Sequence, residues 1–317
     1  MTDTPRKIAT RDAYGKALVR LGEVNPDVVV LDADLSKSTR THWFAEKFPE
    51  RFFQMGVAEA DMMGTAAGLA ASGKIPFASS FAIFASGRAY DQVRQTAGYG
   101  KLNMKIGASH GGITVGEDGA SHQSIEDVAL MRVIPGMTVI VPADAAETEQ
   151  AVFAAARHEG PVYIRTGRSA VPVLFDDGYE FEIGKAVPIR DGKDVTIIAC
   201  GVMISASLEA AEILSERGVL ARVLNMATIK PIDADAVVAA AKETGAIVTA
   251  EEHSIIGGLG SAVCEVTSEL CPVPVERIGI RDVFGQSGKP DELMKAYCMT
   301  GEDIAQAALR AIERIGT

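Results

Sequence analysis

Four consecutive apolar residues, Val28-Val29-Val30-Leu31, stand between a helix-patterned stretch and a polar loop, and the same alternation recurs along the chain. Short runs at 52–57, 75–81, 105–109, 138–141 and 162–165 read as strands, and an apolar run without polar alternation is a strand buried on both faces. Helical periodicity fills the gaps at 59–71, 86–97, 124–132 and 145–158, and a further helix follows Thr10, with Ala17, Leu18 and Leu21 on one face. Strands that alternate with helices form a mostly parallel sheet covered on both sides, the doubly wound α/β class. At 317 residues the chain is long enough for two such domains. Between about 171 and 194 the pattern lapses into Pro172, Asp176-Asp177-Gly178 and Asp191-Gly192-Lys193. The expected division is a first domain at 1–172, a linker at 173–193 and a smaller α/β domain at 194–317, with strands near 195–199, 221–225, 246–250 and 275–278. Ligands of open parallel sheets sit beyond the carboxyl ends of the strands, where the loops after Leu31, Val57, Phe81, Ser109 and Ile164 should gather.

Charge and cysteine usage exclude several classes. A composition of 47% apolar and 23% charged residues is that of a globular protein. The 31 basic and 42 acidic residues leave a net charge of −11, the wrong sign for a nucleic-acid or anionic-membrane binder, so any phosphate recognition must be local. The N-terminus lacks the apolar core of a secretory signal, and the small-residue run at 62–85 is broken by Lys74 and Pro76, so neither export nor a membrane span is expected. Cys200, Cys264, Cys271 and Cys298 show no Cys-x-x-Cys spacing, and Cys264 and Cys271 fall on one helix face. Four buried, reduced thiols and a cytoplasmic location are expected.

The segment from Ser109 to Gln123 is the densest in chemistry. It holds two of the five histidines, His110 and His122, two carboxylates, Glu117 and Asp118, and glycines at 111, 112, 116 and 119. Such glycines let a loop adopt backbone conformations that bring side chains onto one small polar ligand. Taken alone, the segment is equally a mobile surface loop with solvated histidines.

Around it, Ala9-Thr10-Arg11, Asp32-Ala33-Asp34-Leu35-Ser36-Lys37-Ser38, Gly56-Val57-Ala58-Glu59 and the stretch from Ser80 through His122 resemble, in order and spacing, the C-terminal half of transketolase. The likeness continues through Arg165, Thr228-Ile229-Lys230-Pro231 and Glu251-Glu252-His253-Ser254-Ile255-Ile256-Gly257-Gly258. It implies a pyrimidine-binding domain for thiamine diphosphate followed by a transketolase C-terminal domain. In that family a Gly-Asp-Gly motif and a later Asn hold Mg²⁺ (or Ca²⁺) against the diphosphate, oxygen ligands that suit a hard cation. This sequence has no Gly-Asp-Gly, and its asparagines are Asn25, Asn103 and Asn225, none at usable distance after Glu117-Asp118-Gly119. The resemblance therefore implies no metal ligand in this chain and a separate N-terminal subunit that holds metal and diphosphate, in a two-fold α2β2 heterotetramer.

The resemblance also implies residue roles. Glu59 would bond the pyrimidine N1′ and promote the imino form that removes the thiazolium C2 proton; a carboxyl in an apolar pocket favours its protonated form and can share that proton. On position alone it is equally a helix-start glutamate facing the helix dipole. Phe81 and Phe84 would stack on the aminopyrimidine, or simply pack in the core; the family's third aromatic is here Gly87. Asp34 matches an acidic position near the cofactor, with a supporting or interface role. His110 and His122 would face the substrate carbonyl and pass protons during carbon-carbon cleavage, and Asp118 would bind the neighbouring hydroxyl, with Glu117 turned away. Arg11, Ser38 and Arg165, with His122, would clamp the terminal phosphate. His253 is expected at a cap or an interface. The implied reaction is transfer of a two-carbon ketol unit between sugar phosphates, as in the pentose phosphate pathway, with the chain active only beside its partner. Rival readings are the β subunit of a thiamine-dependent 2-oxo-acid dehydrogenase, 1-deoxyxylulose-5-phosphate synthase chemistry and a noncatalytic regulatory subunit of the same fold.

Overall fold

The computed structural model describes residues 6–176 and 178–316. Residues 1–5, Asp177 of the expected linker turn and Thr317 lie outside the described residues.

The strands, in chain order, are β1 (Lys7–Ala9), β2 (Val28–Asp32), β3 (Phe52–Gln54), β4 (Ile75–Phe81), β5 (Lys105–Ser109), β6 (Thr138–Ile140), β7 (Val162–Arg165), β8 (Ala170–Pro172), β9 (Val187–Arg190), β10 (Val195–Ala199), β11 (Ala221–Asn225), β12 (Thr228–Lys230), β13 (Ile247–Ser254) and β14 (Val275–Ile280). They form a seven-stranded sheet in the order β12-β6-β7-β5-β4-β2-β3, a five-stranded sheet in the order β14-β13-β10-β11-β9, and a β1-β8 ribbon. Every pairing in the two large sheets is parallel except β12 with β6 and β9 with β11.

The run Val28–Val30 explains the first sheet's sandwich. Val28 and Val30 pack with Tyr14, Leu18 and Ala151 under the helices Thr10–Val24 and Ala145–Arg157. Val29 and Leu31 point the other way, into a cluster with Met62, Met63 and Met104. Because strand side chains alternate in direction, an unbroken apolar run requires cover on both faces. This second cluster also includes Leu224, Met226, Ile229 and Val237 of the second domain, so the two domains share one core.

The fold departs from expectation in four places. The stretch 173–193 contains β9, which runs antiparallel along the edge of the second sheet. β12 crosses to the first sheet and closes its edge against β6. The expected helix at 86–97 is a succession of short pieces, Phe84–Arg88, Tyr90–Gln92 and Val93–Tyr99, the first and last wound as π-helix. All four cysteines are free, but only Cys200 is buried; Cys264 and Cys271 are half-buried and Cys298 is exposed, and Cys271 terminates the helix Leu259–Leu270 rather than lying on its face. Among the described residues no helix is long and apolar enough to cross a membrane.

Candidate functional site

The carboxyl ends of β2, β4 and β5 meet at one edge of the first sheet. At the end of β2, the fully buried Asp32 accepts hydrogen bonds from the Leu35 amide (2.7 Å), Thr39 Oγ1 (2.7 Å) and Thr41 Oγ1 (2.8 Å). Burial pushes its carboxyl above the ordinary range, and these donors pull against that shift. They fold residues 33–41 into the tight turn that presents Asp34 and Ser38. Asp34 is exposed, with φ 63°, and donates its amide to Gln54 Oε1 at 2.8 Å.

Arg11, in the first turn of its helix, reaches across this edge. Its Nη1 donates to the Ser38 carbonyl at 3.1 Å and lies 3.0 Å from His110 Nε2. His110 follows β5 with φ 58°, in the left-handed region, where a non-glycine residue is held only by its surroundings. Burial, with Arg11 beside the ring, pushes its pKa down to about 3, so the imidazole is neutral. With Nε2 accepting from Arg11, Nδ1 carries the proton and donates to Ser109 Oγ at 2.9 Å.

The aromatic rings extend the site from His110. Phe81, the last residue of β4, stacks on the His110 ring at 3.8 Å between centroids, and Phe84 lies parallel to Phe81 at 5.8 Å and 9°. His122 approaches Phe84 edge-on at 5.5 Å, with its Nδ1 3.0 Å from Ser121 Oγ. Glu59 opens the helix Glu59–Ala71, buried, and Arg88 Nη1 donates to its Oε1 at 3.0 Å. The Arg88 guanidinium also lies 4.0 Å over the Phe84 ring. The pocket around Glu59 is therefore not purely apolar: a cation offsets the burial of the carboxylate. Arg88 was not singled out in the sequence, where it reads as one more charge in a polar stretch.

Arg165 does not stand where it was expected, beside Arg11 and Ser38. Arg165, at the end of β7, is 6% exposed and does not meet Arg11 or Ser38. Its Nε donates to Asp127 Oδ2 (2.9 Å) and its Nη2 to the carbonyls of Ser124 (3.2 Å) and Glu252 (2.9 Å). Asp127 holds the Arg165 pKa above its usual value against the cost of burial. Arg168, three residues on and half-exposed, instead donates to the Val115 carbonyl at 2.5 Å and lies 3.6 Å from Glu117 and 3.7 Å from Asp118. Arg168 and Arg11 line one surface hollow with Arg6, Lys7, Lys16 and Trp43. The Arg165-x-x-Arg168 spacing was visible in the sequence; which arginine faces solvent was not. Glu117 and Asp118 are exposed side by side.

His253 is buried at the domain junction, its Nδ1 donating to the Ser254 carbonyl (2.7 Å) and its Nε2 accepting from the Ala129 amide (3.3 Å). Among the described residues no group of three or more His, Cys, Asp or Glu side chains is placed to hold a metal ion.

Comparison with known proteins identifies the family. The transketolase pyrimidine-binding domain family matches residues 6–173, and the transketolase C-terminal domain family matches residues 184–304. The chain belongs to the transketolase family. It is 46% identical over 304 residues to a 6-deoxy-6-sulfo-D-fructose transketolase subunit of Clostridium sp. (strain MSTE9), covering 96% of this chain and 94% of that one. To an apulose-4-phosphate transketolase subunit of Phocaeicola vulgatus it is 40% identical over 308 residues, covering 97% and 98%. A solved structure described as a split gene transketolase, inactive beta4 tetramer, superposes with a TM-score of 0.92 at 56% identity, covering 97% of this chain and 99% of that one. The chain thus resembles, over nearly its whole length, one subunit of a transketolase divided between two genes.

Proposed function

We propose that this chain is the C-terminal subunit of a two-chain transketolase that transfers a two-carbon ketol unit from a ketose phosphate to an aldose phosphate. The observation that carries the reading is the convergence of Glu59, Phe81, Phe84, His110 and Arg11 at one sheet edge, with Arg168 in the adjoining basic hollow. The residues fit the aminopyrimidine of thiamine diphosphate: parallel aromatic rings and a buried carboxylate whose second oxygen makes no hydrogen bond among the described residues. Held by these residues, thiamine diphosphate would supply the carbon nucleophile that ketol transfer needs.

Glu59 would hold the pyrimidine N1′, and Phe81 and Phe84 would hold its ring. Neutral His110 can donate nothing through Nε2 while that atom accepts from Arg11; its function is to orient the Arg11 guanidinium toward an anionic substrate, or to exchange that bond for a substrate hydroxyl. His122, half-exposed, is the group placed to move a proton at the substrate oxygen. Asp118 selects hydroxylated substrates, and Asp34 supports the loop beside the cofactor. Arg11 and Arg168, with Ser38, replace the set that included Arg165 as the clamp on the terminal anion. In the resembling Clostridium subunit that terminus is named as a sulfonate and in the Phocaeicola subunit as a phosphate, both tetrahedral anions that guanidinium groups bind.

Metal and diphosphate are assigned to an N-terminal partner, in an α2β2 assembly in the cytoplasm. Support comes from the missing Gly-Asp-Gly and from the resembling split gene transketolase, described as an inactive beta4 tetramer. Co-expression with a candidate N-terminal subunit tests the reading. The pair should convert xylulose 5-phosphate and ribose 5-phosphate, dependent on thiamine diphosphate and Mg²⁺. Absence of any ketol transfer from sugar phosphates or sulfosugars by the assembled pair would overturn it.

A further inference from the structure

The histidine loop is held from the second domain. Between Gly111 and Gln123 the chain turns back on itself, its base closed by the Gly112 amide donating to the Ser124 carbonyl at 2.8 Å. Inside the turn the Thr114 amide is buried away from the first sheet's ladder, and such an amide requires a partner. The partner is Glu252 on β13: its Oε1 accepts from the Thr114 amide at 2.6 Å, across 138 residues of sequence. The approach is so close that a Cβ at Gly112, where φ is +85°, would stand 2.2 Å from the Glu252 carboxyl carbon. Glu252 is itself buried and tethered, since its carbonyl accepts from Arg165. A second tie lies farther along the loop, where Gln123 Nε2 donates to the Ile113 and Gly116 carbonyls and to the Gln286 carbonyl of the second domain at 2.9 Å.

We propose that Glu252 is a positioning residue: from the second domain its carboxylate fixes the backbone at Gly112–Thr114, and so sets the spacing between His110 before that point and Asp118 and His122 after it. The proposal deepens the ketol-transferase reading and rests on it for its catalytic consequence, but the mechanical claim stands on the geometry alone. It assigns the C-terminal domain a task in the chemistry, exerted through the backbone of the first domain's loop. Glu251 and Glu252, adjacent in sequence, point to opposite faces of β13 and serve different ends. Glu251 accepts from the Leu259 and Gly260 amides at 2.7 and 2.8 Å and caps the helix Leu259–Leu270, while Glu252 reaches the loop.

Hydrogen exchange read by mass spectrometry on the assembled protein tests this, with Glu252→Ala and Glu252→Gln. The alanine variant should speed exchange in peptides covering 110–116 by roughly tenfold or more, the loss of one charge-assisted bond, while peptides of β13 and of the helix Leu259–Leu270 keep their rates. Glutamine, which keeps an acceptor oxygen, should restore most of the protection. In the steady state Glu252→Ala should raise KM for the donor sugar phosphate while thiamine diphosphate affinity, followed by fluorescence titration, holds. Unchanged exchange at 110–116, or faster exchange throughout the second domain, overturns the positioning role. Loss of cofactor affinity in parallel with turnover overturns it as well. If the wild-type pair shows no ketol transfer, the functional reading fails and the exchange experiment still decides the clamp.

Discussion

Arg165 and Arg168, three residues apart, differ in that one is buried against Asp127 and the other is half-exposed. Removing Arg165 leaves Asp127 buried and unpaired in the core, a change that costs about 3–5 kcal/mol. Arg165→Ala should therefore lower Tm, as read by thermal denaturation, and reduce activity toward every substrate alike. Arg168→Ala should leave Tm near wild type and raise KM for phosphorylated donors far more than for unphosphorylated ones; equal losses for both would remove it from the clamp. Glu59→Gln should cut kcat by about 10²- to 10⁴-fold, the range of a lost acid-base group, with the circular dichroism spectrum unchanged. His110 carries a pH signature. Its folded pKa of about 3 lies below the ordinary 6.5, so it contributes stability above pH 6.5 that is lost as pH falls toward 3. Nitrogen-15 imidazole spectra should show His110 neutral and unchanging between about pH 5 and 8, and His110→Gln should flatten the loss of stability below pH 6.5.

At the scale of elements, the mainly apolar runs at 75–81, 105–109 and 162–165 announced β4, β5 and β7, because a strand covered on both faces buries nearly all of its side chains. The strands that were not read, β1, β8, β9 and β12, are three or four residues long and paired antiparallel, in a separate ribbon or at a sheet edge, too short for periodicity and decided by the neighbours they meet. The site was legible to the same degree. Phe81 and His110 lie at strand ends and Glu59 at the start of a helix, where loop position and residue type both speak. Arg88 and Glu252 act across 29 and 138 residues of sequence, through contacts that local pattern does not carry. Of the two arginines, Arg165 ends a buried strand whose facing the pattern leaves open. β12 also bears a test: Lys230 Nζ donates to the Arg132 and Ile134 carbonyls at the end of the helix Asp127–Val133. Lys230→Met should destabilise the chain by about 1.5–3 kcal/mol, the worth of hydrogen bonds to a charged group, measured by urea unfolding.

Across the whole molecule, two doubly wound domains share a core, and the second holds the first domain's 111–123 loop through Glu252. A net charge of −11 coexists with a local basic hollow, so an acidic protein can draw an anion to one place without a general affinity for polyanions. In the proposed reading the carboxyl edge of the first sheet would take a heterocycle and an anionic tail, and the partner subunit would hold the metal. The direct test of that division is ketol transfer from xylulose 5-phosphate to ribose 5-phosphate, measured for this chain alone, for an N-terminal partner alone and for the two mixed, with thiamine diphosphate and Mg²⁺ in every assay. The account expects turnover in the mixture only, abolished there by Glu59→Gln. Full turnover by this chain alone, or a mixture indifferent to Glu59, would contradict it.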